Sequence, residues 1–322
     1  MSKDDPLFFL NDSILKNGGY VNSHSHLDRS YTVDMSDLNS NCLMNLKDKW
    51  LFVDNYKKNA TEEDYFNNFK KALDNQKRMS SSVILSFIDI DDVVEYKAFN
   101  ASIKAKKYAE SIGIKLLLAN QTLKGVTNKK SRKYIENCID ELDLIGSLPA
   151  ADKDLDAHFE IVMDWAKSTN KRLHSHVDQL NTIAERETEK LALFTKKYNL
   201  ESKVTAVHSI SLACHPKLYR NKMYKLFQDV DLSFITCPSA WIDSVRSEEV
   251  TVTHNSVTPV DELIKYNLTV AIGSDNIHDV YKPFANGDMF VELRFLLEST
   301  HVYDIKTLVD ICTVNGRRVL GI

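Results

Sequence analysis

Short apolar runs rich in β-branched residues recur along the chain, and between them lie longer stretches whose apolar residues repeat every three or four positions. The short runs predict strands at 18–28, 81–91, 114–122, 143–150, 171–178, 203–209, 231–238 and 268–276. Helical spacing fills 91–113, which ends on Gly113 as a natural stop, and 154–170, which begins with an aspartate cap. It returns over 182–199, 215–230 and 256–267. Strands that alternate with helices predict parallel pairing through helical crossovers. Eight of them predict an α/β fold closed into a (β/α)8 TIM barrel, a single domain over 1–322. Residues 29–60 show no clear period after the first strand, and are expected to form a long loop over the barrel mouth.

Composition narrows the function classes. The chain of 322 residues is 43% hydrophobic and 27% charged, which suits a globular domain. A net charge of −4 without any basic run leaves no footprint for nucleic acid or an anionic membrane. The apolar run PLFFL near the N-terminus is too short for a signal-peptide core, and no stretch approaches a membrane span. Five cysteines are scattered without a CxxC pair, so neither a disulfide framework nor a cysteine zinc site is expected. The expected compartment is the cytoplasm. The expected partners are a small-molecule substrate and, in a homo-oligomer, further copies of the chain.

The polar residues that interrupt the strands carry the chemistry. Side chains two apart on a strand face the same side, so His24 and His26 in VNSHSHLD point together. Such a pair alone carries little weight. Here HSHVD ends the fifth strand with His174 and His176, AVHS ends the sixth with His208, and IGSDN ends the eighth with Asp275. All stand at C-terminal strand ends, hence at one mouth of a barrel. Imidazole and carboxylate are the ligands of zinc and similar divalent ions, and convergence from four strands points to a metal site.

At these residues the chain resembles the amidohydrolase superfamily, and more narrowly its cytosine deaminase-like branch. HSHLD is similar to the signature of the first strand, and LLLANQTLKGV to the third, where Gln121 would contact a pyrimidine. RLHSHVDQ, KVTAVHS and AIGSDNIHDVYKPFANGDM resemble the fifth, sixth and eighth strands with their loops, and TVNGRRVLGI the last helix. The resemblance implies one divalent metal, zinc or alternatively ferrous iron, bound by His24, His26, His176 and Asp275. His208 would orient the water and His174 would sit one layer deeper. The bridging lysine of binuclear members has no counterpart in DLIGSLPA, since Lys153 falls beyond it, which favours a single metal. The accessory β-sandwich of the family is expected to be absent or vestigial.

The implied activity is hydrolysis of a C–N bond in a small heterocycle or cyclic amide by a metal-activated water, with Asp275 taking the proton. One position departs from the family: Gln179 stands where the deaminases carry a glutamate three residues after the strand-five histidine. An amide orients by hydrogen bonding but carries no proton at neutral pH. A cytosine deaminase-like aminohydrolase releasing ammonia or an alkylamine from a pyrimidine or triazine is therefore the second reading. A catalytically weak, metal-containing ligand-binding barrel is the third. Asn276, Tyr281 and Trp241 are expected at the substrate. Asp178 and Arg246 are read as structural or solvated charges, and His158, His215, His254 and His301 are assigned no chemistry.

Overall fold

The computed structural model describes residues 5–38, 40–240 and 256–322. All eight expected strands are present: β1 (Tyr20–Ser25), β2 (Ser81–Asp89), β3 (Lys115–Gln121), β4 (Ile145–Ser147), β5 (Leu173–Val177), β6 (Val204–His208), β7 (Ser233–Thr236) and β8 (Val270–Ile272). Every pairing is parallel, in the orders β1-β2-β3 and β4-β5-β6-β7-β8. Parallel bridges join the two groups at both edges, Ala119 with Leu144 and Ser25 with Asp275, and the strands close into a (β/α)8 barrel.

These two seams carry little backbone ladder, and asparagine side chains supplement them. Between β3 and β4, the Asn120 amide donates to the Gly146 carbonyl at 2.9 Å, and the Gly146 N–H donates back to Asn120 Oδ1 at 3.0 Å. Between β8 and β1, Asn22 donates to Ser274 Oγ at 2.8 Å and accepts from the Ser274 N–H at 3.0 Å. Each seam also has a glycine where the strands approach most closely. A Cβ on Gly146 would lie 1.8 Å from the Asn120 carbonyl oxygen, and one on Gly273 would lie 2.7 Å from His24 Cβ.

The outer layer consists of α1 (Pro6–Lys16), α2 (Leu46–Asn59), α3 (Glu62–Arg78), α4 (Lys97–Ser111), α5 (Lys129–Glu136), α6 (Leu155–Thr169), α7 (Glu187–Tyr198), α8 (Lys217–Asp229), α9 (Val260–Lys265), α10 (Met289–Thr300), α11 (Ile305–Cys312) and α12 (Val314–Leu320). The main core lies between strands and helices, where buried residues such as Phe69, Phe159, Phe227 and Phe234 pack together. No helix among the described residues is long and apolar enough to cross a membrane.

One expectation needs correction. Residues 29–60 are not a continuous loop: a short 3₁₀ turn at Leu27–Arg29 and further turns lead into the helix α2, capped by Asn45, which accepts from the Asp48 N–H. The apolar period is obscured because α2 buries charged residues. Lys49, Asp54 and Lys57 lie on its inner side with Val53. Lys57 Nζ reaches Asp91 at 2.8 Å and Asp89 at 3.1 Å, so the helix is held to the end of β2 by ion pairs rather than by an apolar stripe alone.

A candidate metal centre at the barrel mouth

His24 and His26 lie on and just past the end of β1, His176 on β5, His208 at the end of β6 and Asp275 just after β8, and all are buried. Asp275 Oδ1 is 3.4 Å from His24 Nε2 and 3.2 Å from His26 Nε2. His176 Nε2 is 3.4 Å from His26 Nε2. The His24 ring lies 4.6 Å from that of His176 and 5.4 Å from that of His208, centroid to centroid. Two overlapping triads, His24–His176–His208 and His24–His26–Asp275, each have donor atoms within 4.8 Å of one another.

Local backbone explains how groups from separate strands converge. The Asp275 N–H donates to the His24 carbonyl at 3.0 Å, so the bond that closes the barrel also sets one candidate ligand beside another. His208 and Asp275 both have left-handed backbone, at φ 71° and 57°, which turns the chain sharply as each strand ends. The His176 ring is set by Nδ1, 3.0 Å from the Ser147 carbonyl. A carbonyl only accepts, so the proton sits on Nδ1 and Nε2 is left free for an acceptor role.

The electrostatics suit a cation. Burial holds the His24 imidazole down at about 3, and burial likewise pushes His26 and His176 well below their ordinary range and lowers His208. Burial alone would raise the Asp275 carboxyl, but the His24 and His26 imidazoles beside it, 3.4 and 3.2 Å from Oδ1, hold it well below the carboxylate range. The result is a set of neutral imidazoles around an ionised carboxylate, the protonation state a divalent ion requires. His24 Nε2 and Asp275 Oδ2 are buried without a hydrogen-bond partner. Orphaned buried groups of this kind call for a ligand, and this donor set fits a divalent metal.

A pocket partly open to solvent lies above these residues. Gln121, Gln179, Asn276 and Tyr281 from the sequence reading all line it. Gln121 Oε1 is buried and unpartnered, and the Asn276 amide donates to Asp279. Trp241, Arg246 and His254 lie outside the described residues. His174 reaches the Val319 carbonyl on α12 at 3.0 Å, below the site. The Asp178 carboxylate accepts from the Glu187 and Thr188 N–H groups at the start of α7 and does not line the pocket.

Several residues at the site escape a reading of the sequence. Arg29 lines the pocket although buried, with its guanidinium 3.3 Å from Asp89 and 5.2 Å from the centre of the Tyr281 ring. Its only signal is a charge three residues beyond His26. Leu46 and Trp50 enter from α2, four residues apart. Asp279 organises the loop after β8, accepting the Tyr281 and Lys282 N–H groups.

No family model matches the chain. An uncharacterised protein of Haemophilus influenzae is 37% identical over 262 residues, which span 80% of this chain and 94% of that protein. The N-isopropylammelide isopropyl amidohydrolase of a Pseudomonas strain is 24% identical over 315 residues, 94% of this chain and 74% of the relative. Among solved structures, 5-methylcytosine deaminase from Klebsiella pneumoniae, liganded with 5-fluorocytosine, superimposes with a TM-score of 0.86 at 22% identity, covering 94% of this chain and 74% of that one. The chain belongs to one family with the Haemophilus protein and shares the fold of the Klebsiella deaminase.

Proposed function

We propose that the protein is a metal-dependent hydrolase that cleaves a C–N bond in a small heterocycle or cyclic amide. The observation that carries this reading is that buried His24 forms one cluster with His26 and Asp275 and another with His176 and His208, while His24 Nε2 and Asp275 Oδ2 have no hydrogen-bond partner among the described residues. Three imidazoles and one carboxylate favour zinc, and ferrous iron is the alternative. A divalent cation held there would supply acidity, lowering the pKa of a water to about 7.

The remaining steps belong to side chains. Asp275 Oδ2 has no hydrogen-bond partner among the described residues; it accepts the proton that the water gives up and returns it to the departing nitrogen. His208, neutral and buried beside His24 and His176, hydrogen-bonds the oxygen on which negative charge develops. Gln121, Asn276 and Tyr281 hold the substrate ring, while Leu46, Trp50, Leu123 and Leu148 exclude water from it. Gln179 orients the substrate but moves no proton, which favours opening a cyclic amide over expelling an amine. Likeness to a 5-methylcytosine deaminase and an isopropylammelide amidohydrolase supports the aminohydrolase alternative. Five free cysteines and a net charge of −4 support a cytoplasmic site of action.

The test is direct. Elemental analysis of protein produced with zinc should give one metal per chain, and His176→Ala should lose it. Loss of ring absorbance across cyclic amides and ureides reports ring opening, and ammonia or amine release across aminated pyrimidines and triazines reports the alternative. Gln179→Glu should raise amine release if this position faces the leaving group. A protein that binds no zinc in excess metal defeats the reading. One that binds zinc but turns over neither panel favours a ligand-binding barrel.

A further inference from the structure

Behind the barrel wall lies a buried chain of hydrogen bonds that the chemistry above does not use. Ser147 ends β4 and pairs in register with Ser175 on β5. Ser175 sits between His174 and His176, so its side chain faces away from the barrel interior. The two hydroxyls are 2.9 Å apart. Ser147 Oγ is also 2.8 Å from Nε2 of His158, in the first turn of α6, and His158 Nδ1 is 2.7 Å from Asp152 Oδ2. Asp152 additionally accepts from the Val126 N–H at 2.8 Å, the Thr127 N–H at 3.1 Å and the Thr127 hydroxyl. Burial pushes the Asp152 carboxyl up, yet the hydrogen bonds from His158 and Thr127 hold it below its ordinary value, so it stays an acceptor.

The Asp152–His158–Ser147 arrangement has the atoms of a nucleophilic triad but none of the access. Ser147 is 2% exposed and does not line the pocket, so no substrate reaches its hydroxyl. What the chain does reach is the metal centre, from both sides. The Ser147 carbonyl receives the His176 Nδ1 proton, and the loop tied down by Asp152 follows directly from Gln121 and Leu123, which line the pocket. The strand β4 is only three residues long and cannot fix its own end. A carbonyl that rotates there releases the His176 ring.

We propose that Asp152 and His158 are positioning residues for the metal centre: through Ser147 they fix the carbonyl that aims His176 Nε2, and through the 122–128 loop they register the Gln121 wall against it. This rests on the metal-site reading given above, and it extends that reading from the carbonyl on His176 to the side chains that hold the carbonyl in place. Outer partners of metal-bound histidines contribute roughly 10–100-fold in metal affinity.

The experiment uses Asp152→Asn, which is isosteric, and Ser147→Ala, which severs the chain at its strand end without crowding. Zinc affinity is measured by competition with a chromophoric chelator, the cobalt(II)-loaded protein is followed by its visible absorption, and thermal midpoints are recorded with and without metal. Each variant should bind zinc roughly tenfold or more weakly. The cobalt spectrum should change, and zinc should raise the midpoint by less than it does in wild type. Wild-type affinity and an unaltered cobalt spectrum in both folded variants overturn the proposal, whatever their midpoints, because a structural role alone would lower the midpoint equally with and without metal. If the unaltered protein takes up no zinc, the metal reading itself fails and this proposal with it.

Discussion

Gly273→Ala tests whether closing the barrel and assembling the site are one event. The backbone at Gly273 is accessible to any residue, so the cost comes from contact alone. The added Cβ would sit 2.7 Å from His24 Cβ, 2.8 Å from its carbonyl oxygen and 3.0 Å from its nitrogen. Carbon atoms at rest lie about 3.5–4.0 Å apart, so strand β1 must move by about 1 Å at His24, a proposed metal ligand. Overpacking of this kind costs about 1–3 kcal/mol. With an unfolding entropy of about 2.1 cal/mol/K per residue over this chain, that lowers the midpoint by about 1.5–4.5 °C. Metal distances tolerate only about 0.2 Å, so zinc affinity should fall tenfold at least. Gly113→Ala provides the control. There the backbone at φ +74° resists alanine, but the nearest atom is the mobile end of Lys77, away from the pocket. Left-handed backbone in a non-glycine residue costs about 1–2 kcal/mol, giving a comparable loss of midpoint with zinc affinity intact. Calorimetry and chelator competition measure both variants. Gly273→Ala with wild-type affinity would refute the reasoning.

Lys57→Met leaves Asp91 without its buried cation and Asp89 with Arg29 alone, which should cost about 3–5 kcal/mol in urea unfolding. Adding Asp91→Asn should recover part of that loss, and a cost under about 1 kcal/mol would show the pair to be dispensable. Burial, and next the charge of Asp178, push the Glu185 carboxyl from 4.5 up to about 7. The folded state therefore keeps a proton that the unfolded chain gives up, and stability is lost as pH rises from about 4.5 to about 7. Glu185→Gln should stabilise by at most about 3 kcal/mol at pH 8 and by nothing at pH 4, and an offset independent of pH would contradict this.

The strands were legible because most contain a short apolar run buried along nearly its whole length, as in β2 and β3, and parallel pairing makes that pattern dense. The candidate metal set stood out for a related reason. Histidines and an aspartate ending apolar strands have no bland explanation when four strands share the feature. The helix α2 was not legible, since Lys49, Asp54 and Lys57 occupy the face that periodicity expects to be apolar. Those charges are explicable only once Asp89 and Asp91 are known to lie opposite Lys57. His158 was hidden differently. A lone histidine among apolar residues on a helix reads as core, and its partners Asp152 and Ser147 belong to separate elements that only the fold brings together.

Asn22 and Asn120 connect the fold to the chemistry. An amide inside a strand reads as a polar interruption, yet each here presents a donor and an acceptor like an extra stretch of backbone. They stand where the ladder is thinnest, and both seams touch the site. One joins β8 to β1, placing Asp275 beside His24 through the bond from its N–H to the His24 carbonyl. The other joins β3 to β4, bringing Gln121, next to Asn120, alongside Ser147, whose carbonyl sets His176. A continuous ladder would fix strand spacing by backbone geometry alone, at one value for every residue. A side-chain stitch with a glycine nearby lets the strands approach more closely at one point, and in this barrel those points lie beside His24 and Ser147.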